Sequence, residues 1–186
     1  IAAVGSQVAV RDGNAQWDVE SGQLLFDFEV KPAAGSVSVL GAAPAAEDAL
    51  ERAVECFNHA LAFETHGQSD AAEAAYRDAI RLAPDYVDPV LNLGVLLCDA
   101  GRGGDAVVLC REGLRHHPDE ALLHFNMAVA CEDIGRLDDA LAAYETCLRL
   151  APTMADAHYN AARLHEQLGH ASKAIRHYNA YRRLQT

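Results

Sequence analysis

Basic side chains are scarce: 15 Lys and Arg stand against 27 Asp and Glu in 186 residues, a net charge of −12. Such a surface repels nucleic acid and anionic membrane over most of its extent, so neither is expected as a partner through this chain. A neutral or basic protein or peptide suits it better. No apolar run approaches the roughly 18–20 residues that a membrane helix needs. The start, IAAVGSQVAVRDG, lacks the basic and hydrophobic regions of a signal peptide, so the chain is expected in the cytoplasm. It also lacks an initiating Met, which suggests a fragment or a processed chain with something upstream.

Chemistry-bearing motifs are equally thin. Five cysteines, at 56, 98, 110, 131 and 147, form no CxxC pair, and their odd number leaves one unpaired in any intramolecular scheme; reduced thiols are expected. Nine histidines form neither HExxH nor a Cys2His2 spacing, so no metal and no cofactor is expected. No motif combines a nucleophile, a base and an oxyanion partner, which argues against an enzyme.

What is present is a repeat. Pro84, Pro118 and Pro152 are 34 residues apart, and Gly67, Gly101, Gly135 and Gly169 share that period. Ala72, Ala106, Ala140 and Ala174 follow it too, as do Tyr76, Tyr144 and Tyr178, with Cys110 in the remaining slot. Each copy reads as a helix A, a glycine turn, a helix B and a proline-marked exit. Glycine permits the left-handed backbone that ends helix A, and proline helps stop helix B. The expected units are 53–86, 87–120, 121–154 and 155–186, within a helical domain of 45–186.

These residues resemble the tetratricopeptide repeat, a 34-residue helical hairpin that stacks into a right-handed superhelix, over about 53–186. Gly94 matches the family's small position, with Ala60, Ala128 and Ala162 in the equivalent slots. The usual bulky aromatic near the start of helix A is replaced by Cys56, Val90, His124 and His158, where local packing departs from the family pattern. The resemblance implies an all-α helical-hairpin solenoid that binds proteins.

Ahead of the repeats, QVAVRDGNAQWDVESGQLLFDFEV (7–30) predicts a small three-stranded antiparallel β meander within a unit of 1–30. Asp12-Gly13 and Ser21-Gly22 supply its turns, and Leu24, Phe26 and Phe28 alternate with Leu25, Asp27 and Glu29. Roughly 25 residues of sheet cannot stand alone, so the meander is expected to pack on the repeats, on another subunit or on an absent upstream domain. KPAAGSVSVLGAAP, 31–44, reads as a linker. A meander followed by repeats is similar to bacterial transcription regulators that begin with a MerR-like winged helix. On that alternative reading, the chain is the sensory or oligomerising part of a regulator whose DNA-binding domain lies elsewhere.

A polar amide recurs inside each helix A: Asn58, Asn92, Asn126 and Asn160. At 100° per residue it falls opposite the packing stripe, on the side that the resemblance makes concave. An amide both donates to a backbone carbonyl and accepts from a backbone N–H, so a row of them grips an extended peptide without reading its sequence. Phe57, Leu91, Phe125 and Tyr159 stand beside the row and supply apolar contact. The arrangement resembles the asparagine ladder of O-linked N-acetylglucosamine transferase. The alternative is that asparagine here is a generic feature of the repeat, spent on bonds between helices. Asp88, Glu132 and Glu166 join other carboxylates on this face or its rim against Arg163 as the main cation, which makes the trough acidic. That argues against the carboxylate clamp of chaperone-binding repeats.

The remaining candidates have structural readings. His124 and His158 occupy packing slots, with His165 on a core-side stripe, while His116 and His117 end a helix B and can cap it. Cys56, Cys110, Cys131 and Cys147 recur at packing positions. The last helix, ASKAIRHYNAYRRLQT, carries +4 and no acid, which leaves the preceding chain at −16. It reads as a polar outer cap, and the charge contrast also permits a head-to-tail homo-oligomer.

Overall fold

A computed structural model describes residues 2–4, 7–12, 15–18, 24–25 and 42–185, with side chains from Glu47 onward. The chain divides into two compact units, Ile1–Leu40 and Gly41–Thr186.

The second unit is a series of eight helices among the described residues: α1 (Ala42–Thr65), α2 (Ser69–Leu82), α3 (Asp88–Asp99), α4 (Gly103–His116), α5 (Ala121–Asp133), α6 (Leu137–Leu150), α7 (Ala155–Gln167) and α8 (Ala171–Leu184). They form four successive hairpins, each A helix (α1, α3, α5, α7) followed by its B helix. The punctuation works as the period predicts. Gly67, Gly101, Gly135 and Gly169 have φ of 70°, 72°, 74° and 76°, a region in which other residues are strained. At α3 the Gly101 N–H donates to Cys98 O at 2.8 Å and the Arg102 N–H to Leu97 O at 2.8 Å, the paired closure that satisfies the last carbonyls of a helix. The same two bonds recur at the other three turns. Pro84, Pro118 and Pro152 each follow a B helix, where a ring without an N–H cannot continue the ladder.

Small residues bring the helices together. Ala60, Ala72, Ala106, Ala128, Ala140 and Ala162 are fully buried, and Tyr76 and Tyr144 are fully buried among them. Each hairpin packs on the next through its B helix, and α3 also meets α5 directly. No described helix is long and apolar enough to cross a membrane.

The expected fold needs correction at its N-terminal end. The unit that carries the repeats contains no strand among its described residues, and the strands of the first unit do not form the three-stranded meander expected over 7–30. They are four and short: β1 (Ala2–Val4), β2 (Gln7–Asp12), β3 (Ala15–Asp18) and β4 (Leu24–Leu25), antiparallel in the order β1-β2-β3-β4. β1 was missed because three small residues show no alternation to read. Of the expected third strand only Leu24 and Leu25 are described, and they pair with Trp17 and Gln16. Gly13, Ser21, Gly22, Phe26 and Phe28, on which the expectation leaned, lie outside the described residues. So does most of the expected linker, whose end is helical: α1 begins at Ala42 rather than 45, in an alanine-rich stretch whose Pro44 falls in the first turn, where proline is tolerated.

Candidate functional site on the face of the A helices

The amides stand on the A helices as a row, with partners that the sequence did not disclose. Asn92 Nδ2 donates to the Tyr76 hydroxyl of the preceding B helix at 3.3 Å. Asn160 faces the Tyr144 hydroxyl in the equivalent place and acts on it in the same sense. Each tyrosine in turn donates to the glutamate that closes its own A helix: Tyr76 to Glu64, Tyr144 to Glu132 at 2.7 Å and Tyr178 to Glu166 at 3.0 Å. A Glu–Tyr pair therefore ties the first, third and fourth hairpins internally, and an asparagine extends it into a relay from the first hairpin to the second and from the third to the fourth. Burial, followed by the nearby Glu64 carboxylate, pushes the Tyr76 hydroxyl up to about 12, and burial followed by the Glu132 carboxylate holds Tyr144 well above the ordinary range. Both stay neutral donors.

Asn126 differs, because its preceding B helix has Cys110 where the others have tyrosine. Its Nδ2 reaches the Leu91 carbonyl of α3 instead, at 3.1 Å. Asn58 is exposed at the start of the stack, where no preceding hairpin supplies a tyrosine. Asn92, Asn126 and Asn160 are half-buried, and their Oδ1 atoms have no bonding partner among the described residues.

The residues beside the amides split in two. Phe57 packs on Tyr76 and Tyr86, with ring centres 5.8 and 5.4 Å apart, and Phe125 sits edge-on to Tyr144 at 5.8 Å. These rings, with Leu91, lean on the core and leave only part of their surface to the face. Tyr159 is 43% exposed, set against Tyr178 and Tyr181, and is the most available aromatic of the group. Arg163 pairs with Glu132 at 2.6 Å, so the main cation of the face is already neutralised. Glu166 accepts from Tyr178, and Asp88 is exposed in the first turn of α3, where a carboxylate suits the helix dipole.

Among the histidines His165 is buried and His59, His66, His116 and His170 are exposed, whereas Cys110, Cys131 and Cys147 are all buried. His124 and His158 bond through Nε2 to the carbonyls of Pro118 and Pro152 at 3.0 and 3.1 Å, a matched tie between helix A and the loop before it. His165 is 1% exposed and stacks on His177 at 5.5 Å. His116 pairs with Asp85 at 3.1 Å rather than with the carbonyls ending α4, and His117 Nε2 is buried with no partner. All five cysteines are free. Burial raises the thiols of Cys98 and Cys147 to about 11 and of Cys110 to about 12, which leaves them poor nucleophiles at neutral pH.

With this geometry in place, comparison with known proteins gives the class. A family model described as tetratricopeptide repeat matches residues 65–130 and 133–185, more than half of the chain. The chain belongs to the tetratricopeptide repeat family, and its helical solenoid is a scaffold of the type that binds other proteins. Similar solved structures include one described as a crystal structure of MamA protein, 23% identical with a TM-score of 0.66, covering 73% of this chain and 74% of that one. Another is MamA 41-end from Desulfovibrio magneticus RS-1, 14% identical with a TM-score of 0.64, covering 72% and 75%. At these identities the likeness shows the fold. No curated protein matches the chain. The resemblance to MerR-like regulators finds no support in these comparisons.

The relay was missed at the sequence level, although its signal is there: Glu64, Glu132 and Glu166 each precede Tyr76, Tyr144 and Tyr178 by the same interval. The second unit breaks that pattern with two cysteines.

Proposed function

We propose that the face of the A helices holds an extended segment of a partner protein, with Asn92, Asn126 and Asn160 bonding its backbone. The observation that supports this reading is the state of the three amides. Each turns an N–H into the stack, which fixes its orientation, and keeps an Oδ1 acceptor and a second N–H unspent. A side chain locked by one bond loses little further freedom on making another. Asn58, exposed and unlocked, contributes less. Phe57, Leu91, Phe125 and Tyr159 supply apolar contact beside the row, and Asp88, Glu132, Glu166 and Arg163 set the charge of its rim. The function is binding rather than catalysis, exercised in the cytoplasm, with a neutral or basic partner.

The test is a random-peptide display selection on the native chain and on an Asn126→Ala, Asn160→Ala variant whose fold is checked by circular dichroism. Selected peptides are expected to bind the variant about tenfold more weakly, the loss of two modest hydrogen bonds. Equal affinity for both proteins would assign the asparagines to the scaffold alone.

A further inference from the structure

Unit by unit, the same three groups stand where helix A meets its B helix beneath the face, and the second unit has a smaller one at every position. Cys110 stands where the others have Tyr76, Tyr144 and Tyr178, Cys98 where they have Glu64, Glu132 and Glu166, and Gly94 where they have Ala60, Ala128 and Ala162. One such loss is ordinary drift; three at one place open space. Between α3 and α5 lies a hollow of about 230 Å³, lined by Gly94, Val95, Cys98, Asp99, Phe125 and Val129. Gly94 makes its depth: a Cβ there would stand 3.6 Å from Asn126 Nδ2 and 3.7 Å from Cys110 Sγ. Val95 is 50% exposed, an apolar wall left open to solvent.

The mouth is negative. Asp99, which lines the hollow, and Asp133 at the end of α5 are both exposed, and after burial their carboxylates are what raise the Cys98 thiol. Neither has a cationic partner among the described residues. The nearby arginines are engaged elsewhere, Arg102 with Glu73 and Asp105, Arg136 with Asp139 and Arg163 with Glu132.

An apolar-walled hollow under two uncompensated carboxylates selects its occupant. An acidic side chain is repelled, and an aliphatic one leaves the charges unanswered. A side chain with an apolar stem and a cationic tip satisfies both parts. We propose that this hollow takes a lysine or arginine side chain from an extended segment of the partner protein, its methylenes along Val95, Phe125 and Val129 and its charge at Asp99 and Asp133. The proposal rests on the reading of this face as a polypeptide-holding surface and adds what that surface selects. Asn126, which borders the hollow and bonds Leu91 O, would set the register by holding the backbone beside it.

The test uses the whole chain and a random displayed peptide library. The native protein is expected to enrich Lys or Arg at one fixed position. A selected peptide should bind about tenfold better than its norleucine analogue, and that advantage should shrink with added salt. The Asp99→Asn, Asp133→Asn variant changes no packing and should bind both peptides alike. Cys110→Tyr, which restores the group of the other units, should lose the basic preference; if it fails to fold, the aspartate variant still decides. No basic residue at a fixed position, or an undiminished preference in the aspartate variant, would overturn the proposal. Failure of the two readings can be told apart. A basic preference that survives in the Asn126→Ala, Asn160→Ala variant at unchanged affinity sinks the amide row and keeps the hollow. Peptides that need the amides but carry no basic residue do the reverse. Native protein that selects nothing overturns both. If instead a peptide of residues 171–186 occupies the hollow and Cys110→Tyr abolishes self-association in sedimentation, the occupant is a second copy, and the proposal of a foreign segment fails.

Discussion

The hydroxyl of Tyr144 serves two neighbours at once, giving its proton to Glu132 and facing Asn160 of the next hairpin. The ring is fully buried, so Tyr144→Phe keeps the packing, takes the hydroxyl from the Asn160 N–H and leaves the half-buried Glu132 carboxylate with Arg163 alone. An unsatisfied group of that kind costs about 1–3 kcal/mol. Tyr178 makes the same bond to Glu166 at the exposed end of the stack, with no following asparagine, and water can replace it. Tyr144→Phe is therefore expected to lower the melting temperature by several degrees, roughly 2–4 °C per kcal/mol for a chain of this size, and Tyr178→Phe by much less. Thermal melts of the two variants side by side check it, and equal losses would refute the relay. The position of each amide was legible in the sequence, because a period of 34 residues carries it to the same face every time. Its partner was not. Asn92 bonds a tyrosine 16 residues earlier across a helix turn, and only the packing distance between helices decides whether that reach is met.

The α7–α8 hairpin concentrates imidazoles. His165 is buried with Nε2 unpartnered and stacks on His177, while His158 Nδ1 lies 3.0 Å from His177 Nδ1 and His170 Nδ1 lies 3.3 Å from His165 Nδ1. Burial first, and then Lys173, His170 and Arg176, hold His165 below the ordinary histidine value. Burial, His158, His165 and Arg176 do the same to His177, and Glu145 on α6 opposes the shift at both. With the native values lowered, the unfolded chain takes up protons first as pH falls. The stabilising effect of the neutral rings is thus complete above about 6.5, the ordinary histidine value, and is lost on acidification below it. The melting temperature is expected to fall as pH drops from 7 toward 5, with α8 reporting earliest by amide exchange, and His165→Phe should flatten that dependence. A His165→Phe profile as steep as the native one would place the acid response elsewhere. At this scale the helices were legible through their ends, since glycine at positive φ and proline after each B helix are local signals. The strands before 42 were harder. The pairing of Leu24 and Leu25 with Trp17 and Gln16 is a property of two segments and not of one read alone.

In the stack, helices touch their immediate neighbours, so stability is a sum of hairpin and junction terms rather than one indivisible quantity. The middle is better supplied than the C-terminal end. α6 buries Ala140, Leu141, Ala143, Tyr144 and Cys147 between flanking hairpins, whereas Ala174 is the one residue buried on α8, and Ile175 is 61% exposed. Lys173, Arg176, Arg182 and Arg183 complete an outer surface suited to water, and Arg182 and Arg183 in the last turn also suit the helix dipole, but surface charges hold a helix in place weakly. Opening α8 breaks one junction; opening α5 or α6 breaks two. Native-state amide exchange should therefore show α8 opening about tenfold or more often than α5 and α6, a difference near 1.4 kcal/mol, with α7 between them. The gradient bears on binding, because Asn160 and Tyr159 ride on α7 while the hollow at Gly94 lies between α3 and α5, where the stack is firmest. A ligand anchored by that hollow should leave the exchange of α8 almost unchanged and slow that of α3 and α5. Uniform protection along all the helices would mean that the four hairpins fold as a single block, and the firm-centred stack described here would have to be given up.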